Sequence, residues 1–173
     1  MAFSAGQVIT AGDLNDLISG VFLAADQTVN TSTTLVNATG MAFSLSANAT
    51  YAIDGWLRWT SNPTADIKFG WSSPASSDGW WSLNGPYVTG SPAVGGRERV
   101  NYADTSTVAI TSALSAAGDD ESTGTIDISA RLGGYITTST AGTLQLQFAQ
   151  NTSDASDTIL GEGSWLRVTR LDS

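Results

Sequence analysis

The sequence predicts an all-β protein, a jelly-roll-like β-sandwich preceded by a short N-terminal helical segment. Only 13% of the 173 residues are charged, 41% are hydrophobic and 18 are glycine, a composition typical of short strands and turns. Apolar and polar residues alternate in short runs, which is the period of a strand with one buried face. Clusters of Asn, Gly, Ser and Asp separate these runs, as in sandwiches and barrels. We therefore expect a β-sandwich domain at residues 21–173, after an N-terminal anchor segment at residues 1–20.

The first twenty residues differ from the rest because their apolar residues have helical spacing. Thr10 and Asp13 have the spacing of a capping box, with Asp in place of the usual Glu, and Gly20 is a natural stop. A helix of about nine residues is too short to be stable alone, so it must pack on something. It either anchors the chain to a partner molecule or plugs one end of its own β-domain. The apolar residues assigned to this anchor are Ile9, Leu14, Leu17, Ile18 and Val21.

From Val21 onward the apolar period is two, and turn clusters divide the chain into short candidate strands. No repeat of 20 to 50 residues is evident, which argues against a solenoid or a propeller. The segment 84–104, rich in Pro and Gly, is expected to be a long surface loop. The candidate strands are residues 21–29, 33–36, 41–45, 50–59, 66–71, 79–83, 107–114, 125–136, 143–150 and 159–171.

The candidate strand at residues 50–59 has bulky side chains on both faces. Alternation places four apolar side chains on one face and Asp54, Trp56 and Arg58 on the other. A strand that is buried on one side needs only one apolar face, so the tryptophan on the second face indicates a contact with another subunit. The four apolar residues are Tyr51, Ile53, Leu57 and Trp59.

Six tryptophans are a clear excess, and two of them are adjacent in the sequence. In a regular strand Trp80 and Trp81 must point to opposite faces, so one of them is expected to face outward. An exposed tryptophan beside Asp78 and Asn84 could stack on a sugar ring, or it could fill a seam between subunits, where aromatic residues are enriched. The residues assigned to a subunit interface or a glycan platform are Trp56, Trp80, Trp81 and Trp165.

The end of the chain reads as a strand, a loop and a closing strand. Leu144, Leu146 and Phe148 alternate with polar or small residues, as in a half-buried strand. Residues 151–158 are all Asn, Thr, Ser, Asp or Ala, which predicts a surface loop. This loop is a candidate for the outward-facing tip. The closing strand, which contains Trp165, is a candidate for the sheet that meets a neighbouring subunit.

Charge and missing residue types exclude several classes of function. The net charge of −9 argues against binding nucleic acid or an anionic membrane, because both require basic groups. The absence of histidine removes the commonest general base and zinc ligand, and the absence of cysteine removes thiolate chemistry. The scattered aspartates are expected as turn formers, without the spacing of a calcium loop. We therefore expect no catalytic residue, no metal site and no cofactor.

Three segments of the sequence resemble a known group of proteins. The run AGTLQLQFAQNTSDASDT, followed by GSWLRVTRL, resembles the C-terminal hairpin of a domain of virion proteins from tailed phages of actinobacteria. These proteins include tail fibres, minor tail proteins and capsid decorations. Upstream, VFLAADQTVNTSTTLVNATGMAFSLSANATYAIDGWLRW is similar to the same domain, and MAFSAGQVITAGDLNDLI resembles N-terminal segments of phage tail and head-fibre proteins. The resemblance implies a jelly roll, trimeric assembly and a role in the particle without chemistry.

These observations lead to two functional hypotheses. The first is a non-enzymatic structural protein, made in the host cytoplasm and displayed on the virion exterior as a trimeric capsid decoration or head fibre. Its N-terminal anchor would attach it to the major capsid protein or to a tail protein. A compact module without a long shaft favours this role over that of a tail fibre. The alternative is a tail-fibre or minor tail receptor module that recognises host cell-wall carbohydrate.

Overall fold

The computed structural model describes Gly6, Val8, Gly118 and residues 18–84, 108–116 and 128–172. Within these residues the chain forms twelve strands and no helix. The strands are β1 (Ile18–Phe22), β2 (Gln27–Val29), β3 (Val36–Leu45), β4 (Ala49–Thr60), β5 (Ile67–Ser72), β6 (Ser77–Asn84), β7 (Val108–Ala109), β8 (Leu114–Ala116), β9 (Ile128–Thr138), β10 (Gly142–Gln150), β11 (Thr158–Leu160) and β12 (Trp165–Arg170).

The strands form two antiparallel sheets that pack face to face as a sandwich. The larger sheet has the order β1-β12-β4-β9-β6-β7, and β11 joins it by pairing with β4 and β2. The smaller sheet has the order β3-β10-β5-β8. Because β3, β5, β8 and β10 lie in one sheet while β4, β6, β9 and β11 lie in the other, the chain repeatedly crosses between the sheets. The expected all-β sandwich is confirmed.

The core lies between the inner faces of the two sheets, and aromatic pairs join them. Trp59 of β4 meets Phe69 of β5 edge to face, with ring centroids 5.5 Å apart. Trp81 of β6 meets Trp71 of β5 in the same way at 6.0 Å. The indole N–H of Trp81 donates to the carbonyl oxygen of Ser112 at 3.1 Å, so this large side chain is buried with its polar atom satisfied.

Of the candidate strand at residues 33–36 only Val36 lies in a strand, because β3 runs without a break from Val36 to Leu45 and also contains the candidate strand 41–45. The Asn37–Gly40 stretch reads as a turn in the sequence, yet Gly40 has a φ of 84° and the pairing with β10 shifts register between Gln145 and Gln147. The Gln145 side-chain amide donates to the carbonyl oxygens of Ala38 and Met41 at 2.8 and 3.0 Å. A β-bulge with its own hydrogen bonds therefore replaces the expected break.

Three other candidate strands are interrupted in the structure. Residues 159–171 form β11 and β12, because Gly163 at a φ of 82° turns the chain and the Ser164 hydroxyl donates to the Gly161 carbonyl oxygen at 2.8 Å. Residues 21–29 are divided between β1 and β2, and residues 107–114 between β7 and the start of β8. Short turns inside apolar runs are not visible in the alternation alone.

The expected N-terminal helix does not extend to Gly20, since Ile18 and Val21 lie in strand β1. This strand pairs with β12, with Ile18 opposite Thr169 and Val21 opposite Leu166. Pairing at the edge of the larger sheet satisfies these backbone groups and overrides the helical spacing of the side chains. Ile9, Leu14 and Leu17 lie outside the described residues, as does the expected loop 84–104 beyond Asn84.

Candidate functional site: the outer face of the larger sheet

Strand β4 fixes which side chains reach the outer face of the larger sheet. Its burial alternates from Ala49 to Trp59, so Tyr51, Ile53, Leu57 and Trp59 face the core, as expected. The intervening Trp56 and Arg58 are exposed, and Asp54 on the same face is half-buried. Since β4 is central, its outward residues mark the middle of this face.

Three aromatic side chains form a row across neighbouring strands on this face. Phe22 of β1 lies opposite Trp165 of β12, and Trp165 lies opposite Trp56 of β4. The exposed fractions of Phe22, Trp165 and Trp56 are 68%, 38% and 41%. Residues in direct register are close enough for their side chains to touch. We call Phe22, Trp165 and Trp56 the aromatic row; it is a contiguous apolar strip that begins at the edge of the sheet.

A charged centre lies beside the aromatic row. The two carboxylate oxygens of Asp54 accept from Arg131 of β9 at 2.8 Å and from Arg167 of β12 at 2.9 Å. We call these three residues the charged centre. Arg58, also on this face, donates to the carbonyl oxygen of Glu162 at 3.2 Å. Two arginines thus flank one aspartate, so the charged centre carries a net positive charge in a chain of net charge −9.

A second aromatic group lies further across the sheet. Trp80 of β6 is directly opposite Tyr135 of β9, and their exposed fractions are 44% and 42%. Their other cross-strand neighbours are small, because Tyr135 lies opposite Ala52 and Trp80 lies opposite Ala109. We call Trp80 and Tyr135 the aromatic pair. It stands among small residues and is separate from the aromatic row.

A hollow lies between the charged centre and the aromatic pair, with Gly133 as its floor. Gly133 of β9 is opposite Asp54 on one side and Ser82 on the other. A Cβ atom added at Gly133 would meet no other atom within 4 Å, so the space above it is open. This hollow combines aromatic, charged and hydroxyl groups within one small part of the sheet.

The outer face of the smaller sheet has a different character. Its outward residues are small or polar, and the half-buried glutamines bond within the protein: Gln147 donates to the side-chain oxygen of Asn37 at 2.9 Å. Ser44, Ser72 and Ser115 are exposed on the same face. Among the described residues, the exposed aromatic side chains therefore lie on one face of the sandwich.

The structure brings Trp56, Trp80 and Trp165 onto one face but removes Trp81 from it. Trp81 is fully buried in the core, so it is available neither to a partner subunit nor to a glycan. The expectation that the two adjacent tryptophans point to opposite faces is confirmed. Of the described anchor residues, Ile18 is exposed at the start of β1 and Val21 packs partly against the core.

Sequence reasoning did not single out Phe22, Arg131, Gly133 or Tyr135. Gly133 and Gly134 interrupt the alternation of bulky side chains just before Tyr135. The proximity of Tyr135 to Trp80 depends on strand register. Register across a sheet depends on contacts that are distant in sequence. The only available signal was an aromatic residue in a candidate strand.

Other features of the described part of the chain offer little chemistry. In that part, no group of three or more Asp, Glu, His or Cys could hold a metal ion. A cleft of about 360 Å³ between the edges of the two sheets is lined by hydroxyls and apolar groups, among them Ser19, Ser44 and Tyr51. Among the described residues, no helix is long and apolar enough to cross a membrane.

Comparison with known proteins gives one weak structural likeness. A structure of infectious bursal disease virus, Gx strain, matches with 10% sequence identity and a TM-score of 0.24. The match covers 88% of this chain, which spans 40% of the length of that chain. A TM-score this low does not establish a common fold. Neither the protein-family models nor the curated proteins include a match to this sequence.

Proposed function

We propose that this chain is a non-enzymatic structural protein of a tailed-phage particle, displayed on the particle exterior as a homotrimer. The observation that supports this proposal most strongly is the aromatic row on the outer face of the larger sheet. A contiguous strip of exposed aromatic side chains is costly in water unless a partner covers it. The sequence resemblance to virion proteins of actinobacterial phages supports the same class of function.

The aromatic row suits a contact between subunits. Aromatic residues and arginine are enriched at protein interfaces, and both occur here, with Trp56 directly opposite Trp165 and Arg131. The strip starts at β1, which follows most of the proposed anchor segment in the sequence. Assembly would bury the aromatic row and leave the polar face of the smaller sheet in water.

The charges favour a ring over a two-fold dimer. In a two-fold contact the same patch meets itself, which would bring the arginines of one copy against those of the other. A cyclic trimer places this face against a different surface of the next copy. Asp26, Asp157 and Glu162 are exposed on the loops around β2 and β11 and offer the opposite charge.

The strand order supports the assignment of the sandwich as a jelly roll. The larger sheet contains the consecutive strands β1-β12-β4-β9, and the smaller sheet has the order β3-β10-β5-β8. Strands from the two ends of the chain are thus adjacent in both sheets, as expected for two Greek keys wound together. The eight-residue β6 and the two-residue β7 extend the larger sheet beyond this set. The jelly roll is a common architecture of viral capsid domains.

Within this proposal, the role of a capsid decoration or head fibre is favoured over that of a tail fibre. Ile9, Leu14 and Leu17 would attach the trimer to the major capsid protein or, in the second case, to a tail protein. The described residues form a single sandwich, which suits a module displayed on a shell. Attachment to the particle through this anchor would leave the acidic loops and the rest of the trimer surface facing outward.

The direct test is to locate the protein on the particle by electron microscopy. Full-length Leu14→Asp/Leu17→Asp should fold normally yet fail to join the particle, because charge would prevent the apolar contact of the anchor. An exposed substitution in the smaller sheet, Ser72→Asp, is the matched control and should join the particle normally. Normal incorporation of the double variant, or absence of the wild-type protein from the particle exterior, would refute the proposal.

A second candidate function is a receptor module that recognises host cell-wall carbohydrate. The specific observation in its favour is the aromatic pair, because Trp80 and Tyr135 stand exposed among small residues instead of continuing the aromatic row. The two functions are compatible, since a trimer on the particle exterior could also bind a glycan. Saturable binding of a soluble oligosaccharide would distinguish this function from assembly alone.

A further inference from the structure

We propose that Trp80, Tyr135 and the hollow over Gly133 form a saccharide-binding site that takes a neutral pyranose ring. The inference deepens the second candidate function and rests on it, but it does not depend on the trimer. Three features support it: the isolation of the aromatic pair, the open floor of the hollow, and the polar groups at its rim.

The aromatic pair offers an apolar platform of the size of a sugar ring. Each of the two side chains is more than two-fifths exposed, and on both outer sides the neighbouring residue is an alanine, Ala52 or Ala109. Small neighbours leave the ring surfaces accessible from the side as well as from above. The C–H face of a pyranose ring with equatorial hydroxyls is flat and apolar, and its burial against such rings is favourable.

The rim of the hollow can bond to hydroxyl groups. Each carboxylate oxygen of Asp54 accepts one arginine N–H, and a carboxylate has about four acceptor positions, so acceptor capacity remains. The exposed Arg131 has about five N–H donors, of which one bonds to Asp54. Ser82, opposite Gly133, adds a hydroxyl that can donate and accept. Sugar hydroxyls require this mixture of donors and acceptors at their edges.

The shape of this region favours a sugar over a second copy of the chain. A flat protein surface would rest on the aromatic pair and leave the hollow over Gly133 unfilled, which forfeits packing contacts. A single ring can stack on the pair and extend its substituents into the hollow. Arg131 at the rim is already paired with Asp54, and the chain's net charge of −9 disfavours a strongly anionic polymer, so a neutral sugar fits these charges.

The test is calorimetric titration of the full-length protein with two neutral β-1,4-linked hexasaccharides, chitohexaose and cellohexaose. We expect saturable binding of at least one of them. Trp80→Ala and Tyr135→Ala should each weaken that binding about tenfold or more, the equivalent of removing one stacking surface. Gly133→Leu should weaken it similarly by filling the hollow while leaving both rings in place, since a side chain there meets no protein atom at its Cβ.

The matched control is Trp165→Ala, which removes an aromatic ring of similar exposure from the same face but outside the proposed site. It should bind the hexasaccharide as the wild type does. Failure of both hexasaccharides to bind, or wild-type affinity in Trp80→Ala, would overturn the inference. Mass measurement of the same variants separates the two proposals: if Trp80→Ala changes the number of subunits, the pair lies in a subunit contact and the inference is wrong, while the trimer proposal stands.

Discussion

At the scale of single residues, the side of the sheet to which a side chain points determines its role. Trp80 and Trp81 are the same residue type at adjacent positions, but Trp80 is 44% exposed and Trp81 is fully buried. Their opposite orientation could be predicted from strand alternation. Which of the two faces outward could not, because that depends on how β6 registers with β9 and packs against Trp71.

Alanine substitution at these two positions should give very different stabilities. Trp81→Ala should lower the free energy of unfolding by about 3–5 kcal/mol, since it leaves a cavity in the core and an unpaired Ser112 carbonyl oxygen. Trp80→Ala should lower it by less than about 1 kcal/mol, as for most surface changes. Urea unfolding of the two variants measures both values, and equal losses would contradict the assigned orientation.

The aspartates of the surface loops have local roles. The backbone N–H of Ser156, 2.8 Å from the Asp154 carboxylate, and then the Ser156 hydroxyl hold the pKa of Asp154 below its usual value. The loop 151–157 is further fixed by a hydrogen bond of 2.9 Å from Asn30 to Asp157. Turn-forming composition predicted a loop here, and the structure adds that it is tied to the loop after β2.

This depressed pKa predicts a dependence of stability on pH. Asp154 stabilises the folded protein above its unfolded pKa of about 3.9, and that contribution is lost as the pH falls through the lower folded pKa. Asp154→Asn should therefore be less stable than the wild type at pH 7, with the difference disappearing once the pH falls below the folded pKa. Carboxyl titration by nuclear magnetic resonance gives the pKa directly, and a value at or above the usual one would refute the assignment.

At the scale of elements, β9 shows how adjacent residues can have opposite tolerance to substitution. Gly133 faces the open hollow, whereas a Cβ on Gly134 would come within 2.5 Å of the Trp80 carbonyl oxygen and 2.8 Å of the Trp81 Cβ. The strand therefore requires glycine at only one of the two positions for packing. On the outer face, glycine at Gly133 is what leaves the hollow open.

Matched alanine substitutions test this placement of β9. Gly134→Ala should lower the free energy of unfolding by about 1–3 kcal/mol, because the strands β9 and β6 must separate to admit the methyl group. Gly133→Ala should change it by no more than about 0.5 kcal/mol. Thermal unfolding of both variants gives the comparison, and a larger loss in Gly133→Ala would show that the two faces are assigned wrongly.

Element type could be predicted from the sequence more readily than element boundaries. Alternation identified the central strands β4, β9 and β10 and the inward and outward residues of β4. It divided β3 at a bulge and joined β11 to β12, because bulges and tight turns depend on specific hydrogen bonds such as those of Gln145 and Ser164. The helical spacing of apolar residues near the N-terminus placed Ile18 in a helix, but pairing with β12 makes it part of strand β1.

At the scale of the whole molecule, one face of an acidic protein combines the exposed aromatic residues with a positive centre. The sequence indicated outward bulk at Trp56 and Trp165, but the row with Phe22 exists only through pairing of strands from both ends of the chain. The contrast with the polar face of the smaller sheet makes this face the proposed contact surface. In the proposed trimer the arginines favour a heterologous contact, which should be sensitive to salt.

The most direct measurement is the mass of the full-length protein in solution at micromolar concentration, by sedimentation equilibrium. We predict a species of three times the 17.9 kDa chain mass, which dissociates in Trp165→Ser and weakens at high salt. Val36→Ser, which removes an exposed apolar side chain from the smaller sheet, should leave the trimer intact. A monomer in the wild type, or a trimer unaffected by Trp165→Ser, would contradict the account.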